Sequence, residues 1–440
     1  MKKSISLQLS ERVFFFTGIC LLIWITSGWA SSQIQPQEII CLPEKENAII
    51  VEKKSQTLSL YSGQNNALVM EFKMACSTGA APGLKQKAGD KKTPEGIYFL
   101  VDEYEDRYLT PVYGKKAFPT DYPNLLDKRL GKNGSAIWIH GTDKALKPMD
   151  SNGCVAMENS DILRLSKLVT LNSTPVIIVE ESKTTSDENL IKQNKEIKKT
   201  MDQWVKALKS GTYHDYLSFY SASYLPDILW WEEWADLRQK AVTIDPDYQL
   251  RIEKEGIYQH NDVVVVLFDF RLILNKEKIY LEKRKLFLEK ENGQYKIIGD
   301  TVQSKPELFD KTNSSLVAAA KSRVNPELEH QSIIAMVNQW LAAWTAKDMD
   351  AYAGFYAKNF HSDGMSKDTW VKRKQILAQK YDYINIVGTD FKVKINNGTC
   401  EVVFSQEYES SGFSNQGIKI LKLVDEGGLW KIYQESWKGK

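Results

Sequence analysis

An excess of charge of one sign is missing from this sequence. Its 58 lysine and arginine residues stand against 56 acidic ones, a formal net charge of +2 over 440 residues. That balance carries no electrostatic footprint of a nucleic-acid partner, and none is expected. Cysteine is scarce, five in all, which excludes a small disulfide-built scaffold. Histidine is equally scarce at five, and no His-Glu-Xaa-Xaa-His pair occurs, so no zinc motif is present and no metal or organic cofactor is expected. Long apolar runs are lacking as well. The mostly apolar stretch at residues 13 to 25 is thirteen residues long, short of the ~20 a membrane-spanning helix needs.

What is present reads as ordinary soluble globular protein, with 42% hydrophobic and 26% charged residues. A chain of this length implies two to four domains. At the N-terminus, Lys2, Lys3 and Arg12 precede the apolar run, and Gly28 and Ala30 follow it. This is the three-part pattern of an export signal over residues 1 to 30, with cleavage after Ala30. No cysteine directly follows those small residues, so lipoprotein processing is not expected. The expected location is the periplasm or cell envelope, where thiols tend to be oxidised into pairs. Loss of Cys20 with the signal leaves Cys41, Cys76, Cys154 and Cys400. One reading pairs them, Cys41 with Cys76 most simply. The other keeps Cys154 free because its thiolate reacts.

Residues 47 to 76 alternate as two strands with a turn at Gly63, Asn65 and Asn66. The Gly-, Pro- and Lys-rich segment after them reads as loop until the strand GIYFLVDEY. SAIWIHG is a further strand, ENSDILRLSKLV a helix capped by Asn159 or Ser160, and TPVIIVEE a buried strand. This mostly-β domain is placed at residues 47 to 181, with a polar linker at residues 182 to 199 that runs into a helix. Beyond it the chain repeats itself at an offset of 136: Trp204 with Trp340, Tyr216 with Tyr352, Phe219 with Phe355, Tyr220 with Tyr356 and Trp234 with Trp370. Two copies of one α+β domain follow, at residues 200 to 304 and 331 to 440. Each resembles the nuclear transport factor 2-like fold, a curved sheet over helices. At the same offset His214 stands opposite Asp350, so no shared acid–base set is expected in the copies.

IHGTDKALKPMDSNGCVAM, residues 139 to 157, places His140 fourteen residues before Cys154 amid turn-forming residues. An imidazole beside a thiol is the usual device for making a nucleophile. By residue type alone, an inert buried cysteine and an unrelated surface histidine fit as well. The flanks decide. His-Gly-Thr followed by Ser-Asn-Gly-Cys-Val resembles the active-site motif of the L,D-transpeptidase catalytic-domain (YkuD-type) family. GDKKTPEGIY resembles that family's substrate-side loop, AFPTDYPNLLDKRLGKNGSAIWIHG the run before its histidine, and TPVIIVE its closing strand. The expected fold is therefore multidomain: a mostly-β L,D-transpeptidase catalytic domain followed by two α+β repeats.

The resemblance implies that Cys154 is the nucleophile, His140 its base and the Gly141 carbonyl the group that orients the imidazole. It implies that N–H groups around Gly153 and Cys154 form an oxyanion hole in a loop shaped by Ser151 and Asn152. Peptidoglycan stem tetrapeptides would be the substrate, attacked at the L-centre carbonyl before the terminal D-alanine. The resulting thioester would be resolved by an amine as a crosslink or by water as trimming. Many members carry arginine where this chain has Ala156, and histidine or arginine where it has Asn152. Gly-Cys-Xaa-Ala-Met is more similar to the branch with cell-shape L,D-carboxypeptidases. Both outcomes stay open, with a lean to hydrolysis. The repeats would form a platform for glycan strands, a partner protein or self-association, and a fragment ending near residue 190 is expected to keep activity on soluble muropeptides. The competing whole-chain reading is a non-enzymatic wall-binding protein with a degenerate catalytic domain.

Overall fold

The structure, a computed structural model, describes residues 34–65, 67–396, 399–426 and 429–439. The expected export signal lies outside them. The N-terminal domain comprises strands β1 (Ile34–Pro36), β2 (Ile39–Cys41), β3 (Asn47–Glu52), β4 (Thr57–Gln64), β5 (Ala67–Ala75), β6 (Gly96–Phe99), β7 (Tyr104–Glu105), β8 (Lys116–Pro119), β9 (Trp138–His140), β10 (Val155–Ala156), β11 (Pro175–Val179) and β12 (Thr184–Ser186). Helices α1 (Leu125–Arg129) and α2 (Asn159–Leu165) complete it. The apolar segment β11 is an interior strand of a sheet ordered β5-β4-β3-β11-β6, parallel to β3 and antiparallel to β6. All five of its residues are buried, as a continuous apolar run requires of a strand covered on both faces. A second sheet, β10-β9-β8-β7, carries the His140 strand. Between the two sheets Leu58, Leu60, Phe118, Ile139, Val155 and Ile178 form one core.

The first repeat consists of α3 (Asp187–Ser210), α4 (Tyr213–Leu217), α5 (Trp231–Ile244), β13 (Gln249–His260), β14 (Val263–Leu274), β15 (Glu277–Glu291) and β16 (Gln294–Ser304). The second has α6 (Ser315–Thr345), α7 (Met349–Gly354), the short pair β17 (His361–Ser362) and β18 (Met365–Ser366), α8 (Lys367–Lys380), β19 (Ile384–Asn396), β20 (Thr399–Ser410), β21 (Phe413–Asp425) and β22 (Trp430–Gly439). Helices then a four-strand meander recur in the same order. The paired aromatic residues are the reason, since Trp204, Tyr216 and Trp234 fill one core as Trp340, Tyr352 and Trp370 fill the other.

Three boundaries differ from the sequence reading. Most of the polar stretch at residues 182 to 199 is the first half of α3, whose Leu190 and Ile197 are buried in the first repeat. The 31-residue α6 serves both copies: Leu316, Val317 and Val324 sit in the first core and Ile333, Val337 and Trp340 in the second. Strand β2, ahead of the N-terminal domain's main sheet, adds an edge strand to the first repeat by pairing with β13. Cys41 therefore belongs to the first repeat and Cys76 to the N-terminal core. The bridge between them does not form, and all four cysteines after residue 34 are free thiols.

The first repeat is packed face to face on the N-terminal domain. Ile50, Ile97, Phe99, Ile177 and Val179 meet Val265, Leu267, Phe287 and Ile298 in a shared core. Ending the chain near residue 190 would uncover the first five. At about 1.5–3 kcal/mol per large buried apolar side chain, the loss is on the order of 10 kcal/mol, comparable with the whole net stability of a domain. The 190-residue fragment is thus expected to be insoluble or to bind hydrophobic dye strongly, whereas a fragment ending near residue 328 should stay soluble and fold cooperatively. Size-exclusion chromatography and dye binding decide. A monomeric, cooperatively melting 190-residue fragment would show that this interface contributes little.

Candidate active site

Strands β9 and β10 run parallel, with Ile139 opposite Val155 and His140 opposite Ala156. Ile139 and Val155 point into the core. Alternation along a strand therefore turns His140, Cys154 and Ala156 to the other face, where all three line a 260 Å³ cleft. The loop carrying Thr142, Lys144, Leu146, Lys147 and Asp150 lines it as well, together with Tyr113 and Ser77.

His140 is buried, and its Nδ1 lies 2.6 Å from the Gly141 carbonyl oxygen. A carbonyl only accepts, so Nδ1 carries the proton and Nε2 of the neutral ring is left as an acceptor. Burial pushes the imidazole pKa below its ordinary value, with the Gly141 bond opposing. Tyr113 meets the ring edge-on at 5.0 Å, and Trp138 packs 4.9 Å from Tyr113 and 5.5 Å from Tyr104. Gly141 is required by close approach: a Cβ there would lie 2.3 Å from Asn159 Oδ1. Asn159, expected as a helix cap, is the first residue of α2. Its side chain accepts from Lys115 N–H at 2.9 Å and donates to Asp143 at 2.7 Å, which ties down both sides of the histidine turn.

Cys154 is half-buried, and its thiol donates to the Ala136 carbonyl at 3.4 Å. Burial raises the thiol pKa, while the Trp138 N–H and the positive charge of Lys85 pull it down. The resting pair is therefore a thiol and a neutral imidazole. Lys85 is itself buried and paired with Asp90 at 2.7 Å. Despite burial, that ammonium and the N–H groups of Gln86, Lys87 and Lys92 hold the Asp90 carboxyl well below the usual range.

Ser151 fastens the nucleophile loop by donating to the Cys154 carbonyl at 2.6 Å and accepting from Gly153 N–H at 3.0 Å. The two N–H groups expected at the oxyanion hole differ in their present partners. The Gly153 N–H is already used, whereas the Cys154 N–H has no hydrogen-bond partner among the described residues. Gly153 has φ +123°, and a Cβ on it would meet the Lys92 carbonyl oxygen at 2.8 Å. Asn152 is exposed on the cleft wall. Thr93, expected on the substrate side, is fully buried. Its hydroxyl donates to the Gly153 carbonyl at 2.9 Å and accepts from Gly79 N–H at 2.8 Å, bracing the loop from behind. Gln56 adds a further tie by accepting from Thr78 and Met149 N–H groups at 3.0 and 2.8 Å.

The sequence reading missed Tyr113, Trp138, Ala136 and the Lys85–Asp90 pair. It also missed a polar set shared by the repeats. Tyr220 donates to Asp300, which Arg284 grips at 2.7 and 2.9 Å; Tyr356 donates to Glu435, which pairs with Lys419. In each copy a tryptophan N–H, from Trp204 or Trp340, reaches the tyrosine oxygen at 3.3 or 3.0 Å. A buried tyrosine–carboxylate–cation contact thus recurs in both copies. Among the described residues, no group of three or more histidine, cysteine or carboxylate side chains is arranged to hold a metal ion.

Comparison with known proteins agrees with this geometry. Residues 46–178 match the L,D-transpeptidase catalytic domain (YkuD), and residues 332–436 match the Cds6 C-terminal NTF2-like domain. The L,D-transpeptidase candidate YafK of Escherichia coli K12 is 32% identical over 127 residues, 28% of this chain and 46% of that protein. The chain thus spans less than half the length of the curated relatives it matches. Among solved structures, the helical cell shape determining protein Pgp2 of Campylobacter jejuni is 25% identical, with 60% of this chain and 95% of that one covered at a TM-score of 0.47. Bd1075 of Bdellovibrio bacteriovorus is 19% identical, with 93% and 99% covered at a TM-score of 0.35. The chain therefore carries an L,D-transpeptidase catalytic domain at residues 46–178 and an NTF2-like domain of the Cds6 C-terminal kind at residues 332–436.

Proposed function

We propose that this chain is an exported peptidoglycan-modifying cysteine enzyme of the cell envelope that acts on stem tetrapeptides. The observation that carries the reading is the placement of Cys154 and His140 on one face of the β9–β10 pair, at the wall of one cleft. His140 Nε2 takes the thiol proton as sulfur attacks the L-centre carbonyl before the terminal D-alanine. The oxyanion forms beside the free Cys154 N–H, a donor held in place before the charge develops. The imidazolium then returns the proton to the departing D-alanine amine, leaving a thioester on Cys154. Such a braced site speaks against a degenerate, purely wall-binding domain. The repeats supply a platform for glycan strands, a partner protein or a second copy.

Water resolves the thioester, with His140 again as base, and gives a tripeptide carboxylate and the free thiol. An amine acceptor competes only when it is held, since orientation is worth about 7–11 kcal/mol. Ala156 offers no guanidinium for that purpose, and the cleft's cations, Lys144 and Lys147, are exposed on a loop rather than fixed in the wall. The purified chain should convert muropeptide tetrapeptides to tripeptides even when free stem peptides are supplied, as read by product mass. Dimers crosslinked through two diaminopimelate centres as the major product would identify a transpeptidase instead.

A further inference from the structure

The first repeat does more than cover an apolar face. Lys285, on β15, is buried at 4% exposure, reaches across the interface and pairs with Asp121 of the catalytic domain. Its ammonium lies 4.9 Å from the Phe99 ring centre and 5.5 Å from that of Phe287. The other oxygen of Asp121 accepts the Phe99 N–H at 2.8 Å. Eight residues along the chain, Arg129 donates to two carbonyls of the first repeat, Ile298 and, at 3.0 Å, Ser223. The segment leading into β9 is therefore anchored on the repeat at two points.

That segment ends at the nucleophile. Asn133 gives its N–H to the Gln86 carbonyl at 3.1 Å and accepts from Ala88 N–H at 2.9 Å, which ties it to the loop bearing Lys85. Thr120 holds the Ile137 carbonyl through its N–H at 3.0 Å and its hydroxyl at 2.7 Å. Ala136 then presents its carbonyl, and Trp138 its N–H, to the sulfur of Cys154. The device belongs to one copy only. Lys285 lies opposite Leu267, and the matching position of the second repeat, opposite Val403, is Ile420.

We infer that the first repeat is a positioning element of the active site, with Lys285 and Arg129 holding residues 121 to 137 in the register that sets the surroundings of the Cys154 sulfur. Neither residue touches the cleft. The charged or titratable groups that do face the sulfur or line its cleft are His140, Lys85, Lys144, Lys147, Asp150 and Tyr113. A change at Lys285 therefore reaches the thiol only through the segment. The inference rests on Cys154 as the reactive thiol, and its test needs no substrate.

The purified full chain and its Lys285→Met, Lys285→Met/Asp121→Asn and Arg129→Gln variants would be alkylated with iodoacetamide from pH 5 to 10, the Cys154 peptide being followed by mass. The alkylation rate near neutral pH should fall about 2- to 30-fold, with the profile moved to higher pH. The double variant should stay slow, although it leaves no unpaired buried carboxylate and so recovers melting temperature over the single one. Lys285→Arg, which keeps a cation on Asp121, should restore the wild-type profile if it melts normally. D-alanine release should fall in kcat with little change in KM. Profiles identical to wild type in every variant that folds would overturn the inference, leaving Lys285 and Arg129 as purely structural. Arg129 lies at the exposed edge, so its variant reports even if those at Lys285 do not fold. Wild-type protein that alkylates normally but releases no D-alanine would sink the proposed reaction and leave this test standing.

Discussion

Cys154→Ala should abolish D-alanine release from tetrapeptides and leave the fold unchanged. The substitution removes one sulfur and its 3.4 Å bond to the Ala136 carbonyl. It leaves the buried Val155 and the Ser151 bond to the residue 154 carbonyl in place. A half-buried loop side chain of this size should change stability by no more than about 1 kcal/mol. Activity has no such cushion, because no other thiol among the described residues lines the cleft. Cys76 is buried, its thiol pushed up to about 12 by loss of hydration. Full turnover by a variant with wild-type circular dichroism and melting would move the nucleophile elsewhere. Loss of turnover together with loss of the fold would instead reveal a packing role that the exposure of Cys154 does not suggest.

The sequence pointed to the loop around Cys154 through the motif on its flanks, not through the thiol and the histidine by themselves. A thiol and a histidine alone left an inert pair open, and the flanking His-Gly-Thr and Ser-Asn-Gly-Cys-Val stretches narrowed the reading. The loop's supports were not legible, because they depend on who is buried. The Gly-, Pro- and Lys-rich stretch around Lys85 reads as a solvated loop, yet Lys85 and Asp90 fold inward and neutralise each other. Thr93 looks like part of a substrate loop until its hydroxyl is seen bonded on both sides.

The repeat was visible from its aromatic residues, while its shared tyrosine–carboxylate–cation contact was hidden by a single residue. Between Phe270 and Arg271 the pairing of β14 with β15 slips, leaving Leu281 extra, and the second copy has no slip between β20 and β21. Beyond that bulge the offset drops from 136 to 135. A fixed offset sets Asp300 against Ser436, whereas the true counterpart is Glu435. Arg284 likewise meets Lys419 rather than Ile420. The same comparison explains why only one copy docks on the catalytic domain. Val265 and Phe287 of the interface correspond to Glu401 and Lys422, so the second sheet turns a charged face outward where the first has an apolar one.

His140→Ala should lower D-alanine release about 10²–10⁴-fold, the usual size of a lost general acid–base. Alkylation of Cys154 near neutral pH should slow as well, but by less. In the proposed reaction, ionising the sulfur is only the first task of the imidazole, and the Trp138 N–H and Lys85 still favour the thiolate once the ring is gone. In that reaction the imidazole also protonates the departing amine and activates the incoming water, so turnover should lose more than alkylation does. Equal losses in the two measurements would mean that the ring only ionises the thiol, and an unchanged alkylation rate that another group does so. The pH profile supplies the sign. Burial lowers the His140 pKa, so the neutral, proton-accepting ring persists as pH falls below the ordinary histidine value, and is lost only when the lowered pKa is crossed. The acid limb of kcat/KM should therefore lie below pH ~6.5, the unperturbed histidine value. A Tyr113→Ala variant, which opens the ring edge to water, should move that limb upward. A limb at or above the ordinary value in the wild-type protein would contradict a buried neutral base.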